Sequence, residues 1–362
     1  MRRIKNILKG RLTILTRNLT ICDKMAVLAI TLLMHLPAFI SCNTLSQYMD
    51  SEEFSGGTGN TSTLPLKITF NSLLHSAPLD IFTFNNDRLR KLDSYQHLDS
   101  FSGRETTISS RRGSRIVVAV ANLQEAEIDA GKIFSYDDLI NLRASLSGED
   151  PEEPVMTAET VIDAGNETGC RMTLSPLLAE ICVNSISCDF HSRPYKDARL
   201  ENIRIYLTNV CSRYPLAGDT TVTPEELINC GGCRKEDSAG FRFPGTVCSR
   251  IEEGVGMNVV FPDIRLYCYP SNSGEESPGC PFTRLVIEGT INGETTYYPI
   301  NVNRDEPESG HSGVFRNESY IYDITITRKG VDNPDTPVSK AEIGMEFSIK
   351  PWIERGYRTV TY

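Results

Sequence analysis

Cysteines dominate the residues that could do chemistry in this 362-residue chain, which holds eleven of them. Cys230-Gly-Gly-Cys233 has the spacing of a redox dithiol or of half a zinc site. A thiol oxidoreductase places that pair at a helix start in a βαβ unit. Here it falls in a glycine-rich stretch of a chain that reads as β. A zinc site needs a second pair of ligands. Cys268 and Cys280 have eleven residues between them and no histidine nearby. The pair therefore reads first as a structural disulfide or as unpaired loop thiols, and no metal or cofactor is expected. The histidines are His35, His75, His97, His191 and His311, and none makes a ligand spacing with another. His191 follows Cys188 by three residues without a completing pair. No HExxH, GxSxG, GxGxxG or P-loop occurs. Asp332-Asn-Pro-Asp-Thr-Pro337 could hold calcium, but its prolines and Asx residues read first as a braced turn. The expectation is a protein that is not an enzyme.

Cys42 suggests a different chemistry. It follows the apolar run Met25–Ser41, which a basic stretch with Arg2, Arg3, Lys5, Lys9, Arg11, Arg17 and Lys24 precedes. Basic head, apolar middle and a small residue at the cut make a secretory signal. A cysteine directly after the small Ser41 makes residues 1–41 look like a lipoprotein signal peptide. The Cys42 thiol would take a diacylglycerol, and the new amino terminus an acyl chain such as palmitate. Two acyl signals hold a protein on a membrane where one alone is marginal. The competing readings are an uncleaved membrane helix, short and interrupted by Pro37, and an ordinary signal with an incidental cysteine. Met25 is a second candidate start.

The formal charge of −10 argues against nucleic acid as a partner, since phosphate binding needs a clustered basic surface. Nine cysteines follow Cys42, an odd number, so at least one thiol is free or pairs outside the chain. The length suggests two domains.

Residues 42–63 read as a flexible tether, small, polar and glycine-rich. From Leu64 onward the pattern is short strands. Leu66, Ile68 and Phe70 alternate with Lys67 and Thr69, as in a half-buried strand. Further runs fall at 79–84, 106–109, 115–122, 170–174, 180–189 and 200–210. Arg111-Arg-Gly113 gives a hairpin-like break between the third and fourth. One helix is expected, capped by Ser135 with Asp138 three residues on, carrying Leu139, Leu142 and Leu146 on one face. After a loop over 212–240, strands are expected at 241–247, 257–261, 264–269, 283–291, 295–303, 320–327, 342–349 and 358–362. Asn292-Gly293 marks a hairpin. The pattern predicts an all-β chain of two tandem sandwiches, 64–211 and 212–362, with one short helix in the first. Tyr297, Tyr298, Tyr320, Tyr322, Trp352, Tyr357 and Tyr362 cluster in the second. They form either a sugar-binding platform or cross-strand packing.

The order of these segments resembles the fimbrillin superfamily, the subunits and anchors of type V pili. The resemblance rests on Asp80–Asp87 followed by Gly113–Asn122, on Leu174–Ile186 and Leu200–Val210, and on Tyr297–Asn303, Arg316–Thr327, Gly330, Pro334–Val338 and Trp352. It runs from about residue 64 to the end. It implies two transthyretin-like Greek-key sandwiches, export as a lipoprotein, and a fimbrium at the outer membrane. It also implies assembly by β-strand addition: stalk subunits lose their first strand to an Arg- or Lys-directed protease, and anchors keep it. Nine mature cysteines depart from that pattern.

No Lys or Arg lies between Cys42 and Lys67, and the next basic residue is Arg88. The expectation is an uncut, lipid-anchored anchor or accessory subunit in a surface-exposed fimbrium. Leu64, Leu66, Ile68 and Phe70 of the first strand and Val360 and Tyr362 of the last would form its assembly surfaces. Its partners would be other pilus subunits, the outer membrane through lipid, and surface ligands of host or bacterium. The alternatives are a glycan-binding surface lipoprotein and a thiol oxidoreductase using Cys230 and Cys233.

Overall fold

The computed structural model describes residues 63–123, 130–190, 195–218, 227–228, 240–243, 245–277, 279–304, 312–337 and 343–352. The expectations on Cys42, Cys230, Cys233, Tyr357, Val360 and Tyr362 lie outside these residues, as do those on residues 1–41 and nearly all of the tether. No helix among the described residues is long and apolar enough to cross a membrane.

The chain is all-β with one short helix. In order the elements are β1 (Leu64–Asn85), β2 (Leu92–Ser110), β3 (Gly113–Ala121), α1 (Tyr136–Asn141), β4 (Arg143–Ser145), β5 (Met156–Ala164), β6 (Gly169–Met172), β7 (Ser175–Pro176), β8 (Ala179–Cys188) and β9 (Glu201–Thr208). There follow β10 (Val210–Cys211), β11 (Arg213–Pro215), β12 (Leu227–Ile228), β13 (Cys248–Ile251), β14 (Ile264–Cys268), β15 (Arg284–Ile291), β16 (Glu294–Asn301), β17 (Glu318–Ile326) and β18 (Ile343–Pro351).

The first two expected strands are one bent strand, β1, with register shifts between Thr69 and Leu79. It lies in a six-stranded sheet of order β2-β1-β3-β5-β7, with β6 also on β1. That sheet curls. Leu66, Ile68 and Phe70 from the start of β1 share one core with Leu79, Ile81, Val117, Ala119 and Ala121. The expected hairpin at Arg111–Gly113 does not form, because β2 and β3 pair with β1 on its two sides rather than with each other.

The second sandwich is two four-stranded sheets, β13-β9-β15-β16 and β14-β8-β17-β18. Ile205, Leu207, Leu285 and Ile287 of one meet Ile181, Val183, Tyr322 and Ile324 of the other in a common core. β8 and β9 pair only with strands of this second sandwich. Strand pairing therefore changes partners between Pro176 and Ala179. The opposite face of the first sheet, through Phe82, Phe84, Val118 and Val120, joins this larger core.

Local signals hold where local chemistry decides. Ser135 caps α1, and Asp138 completes the capping box. Asn292 (φ 51°) and Gly293 (φ 84°) turn the β15–β16 hairpin, both in the left-handed region that a type I′ turn requires. The helix stops at Asn141, however. Leu142 is extended, and Arg143–Ser145 pairs with Arg213–Pro215. The expected strand at 241–247 is displaced to β13, and 257–261 makes only a bridge from Val260 to Ile186.

Arg316 ties the two sandwiches together. Its half-buried guanidinium donates to the carbonyl of Pro176 at 3.1 Å, to Ser175 O at 2.5 Å, and to Thr157 Oγ1 at 2.9 Å. Partial burial lowers its pKa, since less solvent stabilises the charge.

Candidate functional site

The first strand is built as an insert. Over Leu64–Thr69 its main chain pairs antiparallel with Glu105–Ser110, Lys67 facing Thr107 and Ile68 facing Thr106. On its other side Lys67–Phe70 pairs in parallel with Gly169–Met172. The strand is thus bonded along both edges. Its alternation sets its faces. Leu66, Ile68 and Phe70 are at most 1% exposed, and Pro65 and Lys67 face solvent. Leu64 is half-buried at the entry. Phe70 meets Phe101 edge-on at 6.1 Å between ring centroids. At the far end Asn71 Oδ1 accepts the Leu174 amide at 3.1 Å.

Gly169 permits this close fit. A Cβ placed there would stand 2.5 Å from the main-chain oxygen of Lys67. Sequence reasoning missed Gly169 and the parallel pairing of β6. The one available signal was a glycine opening a β-type run, the mark of close backbone approach.

Lys67, the first basic residue after the tether, sits within the ladder and pairs with Glu105 at 2.8 Å. Hydrogen bonding to Lys67 lowers the Glu105 pKa, although both groups are solvent-facing.

Among the described residues the other candidate side chains are engaged in packing and turns. Of the seven described cysteines, five are buried. Burial pushes the Cys170 thiol up to about 11 and the Cys188 thiol up to about 12, the reverse of a reactive thiolate. Tyr298, Tyr320 and Tyr322 are fully buried, which removes them from any sugar-stacking platform. Trp352 packs on Tyr267 at 5.6 Å between centroids, tilted by 34°. In the Asp332–Pro337 turn, Asn333 Oδ1 accepts the Asp335 amide at 2.9 Å, as a braced Asx turn does. No group of His, Cys, Asp or Glu among the described residues could hold a metal ion.

A first sheet whose leading strand is paired along both edges, followed by a two-sheet sandwich, makes a tandem β-sandwich. Solved structures share it. A fimbrilin from Porphyromonas gingivalis W83 superposes with a TM-score of 0.55 at 14% identity, over 81% of this chain and 98% of that one. A proposed cell adhesion protein from Bacteroides eggerthii DSM 20697 gives 0.58 at 17% identity, over 81% and 98%. Another from Parabacteroides distasonis ATCC 8503 gives 0.56 at 14%, over 81% and 97%. At these identities the likeness is one of fold. No family model matches the chain, and no curated protein matches it by sequence.

Proposed function

We propose that this protein is a non-catalytic, lipid-anchored component of a fimbrium, an anchor or accessory subunit that assembles by β-strand addition. One observation carries the reading: Leu64–Phe70 is paired on both edges and buries Leu66, Ile68 and Phe70 in the first core. A strand of that kind, once removed, leaves two unpaired edges and an open apolar slot, which is what a donor strand fills. The likeness of fold to the fimbrilin supports the pilus context.

Retention of the strand distinguishes an anchor from a stalk subunit. The stretch between Cys42 and Lys67 offers no basic cleavage point, and Lys67 itself is held in the ladder opposite Thr107 and ion-paired with Glu105. Lipid on Cys42 would hold the chain at the outer membrane, while Arg358–Tyr362, with Val360 and Tyr362, would pair with the neighbouring subunit. Mass spectrometry of the native amino terminus tests this. The expected species begins at an acylated Cys42 and keeps the first strand. A chain beginning beyond Phe70 would make the protein a polymerising stalk subunit instead.

A further inference from the structure

The second sandwich carries an unpaired edge unlike its others. From Gly256 to Cys268 the chain runs along β8. Val260 exchanges both main-chain bonds with Ile186 at 2.9 Å, Gly256 O accepts from the Cys188 amide at 2.8 Å, and β14 continues the pairing to Ala179. A residue that exchanges both bonds turns its N–H and C=O inward, so its neighbours turn theirs outward. Val259 and Phe261 therefore turn their main-chain groups outward, and neither makes a main-chain bond to another described residue. On this outer side Tyr267 is engaged, its amide donating to Thr246 O at 2.7 Å.

The side chains along this edge are equally unusual. Met257, Val259 and Phe261 are 69%, 53% and 71% exposed, at the two-residue spacing of one strand face. Exposed edges are ordinarily blunted by charge, proline or bulges. The opposite edge strand of the same sheet, β18, carries Glu346 and Lys350. Met257-Asn-Val-Val-Phe261 carries no charge at all.

The row leads into a groove of about 920 Å³ between the edge strands β13 and β14, where Val260 and Pro262 form part of the wall. Asp150, Glu152, Glu252 and Glu253 also line it. Of its two arginines, Arg265 is engaged with Asp263 at 2.9 Å and Glu180 at 3.4 Å. Arg250 alone stands against four carboxylates. A second copy of this chain would bring the same acids against themselves, so charge selects a different occupant.

The geometry points to a second docking edge, at Met257–Phe261, for an extended segment of a partner protein in which basic residues alternate with apolar ones. Main-chain pairing to Val259 and Phe261 supplies the ladder. The apolar positions cover Met257, Val259 and Phe261, and the basic positions meet Glu252, Glu253, Asp150 and Glu152. The inference is independent of the first strand, and either can fail alone.

Fluorescence anisotropy on the full chain tests it with two labelled peptides, Lys-Val-Thr-Val-Lys-Val-Thr-Val-Lys and the same peptide with Glu for Lys. The Lys peptide should bind at least about tenfold tighter than the Glu peptide, a difference of about 1.4 kcal/mol. Val259→Pro, which removes an outward N–H, and Phe261→Lys should each weaken the Lys peptide by a similar factor. Glu252→Arg with Glu253→Arg should abolish the preference between peptides. Glu346→Arg, on the far edge, should change nothing. Equal binding of the two peptides overturns the proposal. So does undiminished binding to Val259→Pro and Phe261→Lys chains that melt like the parent. A dimer that Phe261→Lys dissolves would assign the edge to a second copy and overturn it too.

Discussion

Seating of the first strand can be tested within the strand itself, at two adjacent residues of opposite environment. Ile68 is fully buried, and Lys67 is half exposed in an ion pair with Glu105. Ile68→Ala removes three carbons from a core that also holds Leu66, Phe70, Ile81 and Val117. Such truncations cost about 2–5 kcal/mol, the spread reflecting how far the site collapses. Lys67→Ala removes a solvent-facing pair and should cost under about 1 kcal/mol. Gly169→Ala acts through the backbone: its Cβ would meet Lys67 O at 2.5 Å, so β1 and β6 must separate. Its cost should resemble that of overpacking, about 1–3 kcal/mol. Urea unfolding, with the transition followed by circular dichroism, reads all three as midpoint shifts at constant slope. The order expected is Ile68→Ala and Gly169→Ala well below the parent, Lys67→Ala close to it. If Ile68→Ala costs no more than Lys67→Ala, the strand is not seated in that core, and the argument that the fold depends on keeping it falls with it.

Two further outcomes follow from side chains remote from the strand. Arg316→Leu should cost about 3 kcal/mol and Arg316→Lys should recover little of it, because an ammonium cannot reach Pro176, Ser175 and Thr157 together. Chemical denaturation that keeps a single transition for both variants checks this. His97 gives a pH dependence. The hydrogen bond with Asp80 raises its pKa above 6.5, with the charges of Asp80 and Asp99 adding to it. Protonation therefore favours the folded state: the contribution is full below about pH 6.5 and disappears as pH rises through the folded value. His97→Gln should flatten melting temperature against pH across that window, and an unchanged profile would remove His97 as the source.

Which features were legible in the sequence depends on how far away the deciding partner lies. Leu66, Ile68 and Phe70 announce a strand by their spacing, and Asn292-Gly293 announces a hairpin, because strand and turn are settled within a few residues. The helix at Ser135 starts where its cap says, but its end is settled by Arg213–Pro215, about seventy residues on, which takes Arg143–Ser145 into a ladder. Leu142 and Leu146 satisfy a helical period only because a buried strand and its flanks need apolar residues too. The parallel seat of the first strand on Gly169–Met172 is likewise set by a partner about a hundred residues away. Met257–Phe261 exposes a different limit. Its alternation marks a strand face, and a period of two cannot say which face is covered or by what. In the fold that face is bare beside an acidic groove. Apolar side chains at strand spacing next to outward main-chain groups lower their free energy when another strand covers them. At Met257–Phe261 the alternation that predicts a strand is met by an exposed apolar row, an outcome that a period of two alone does not distinguish from a covered one.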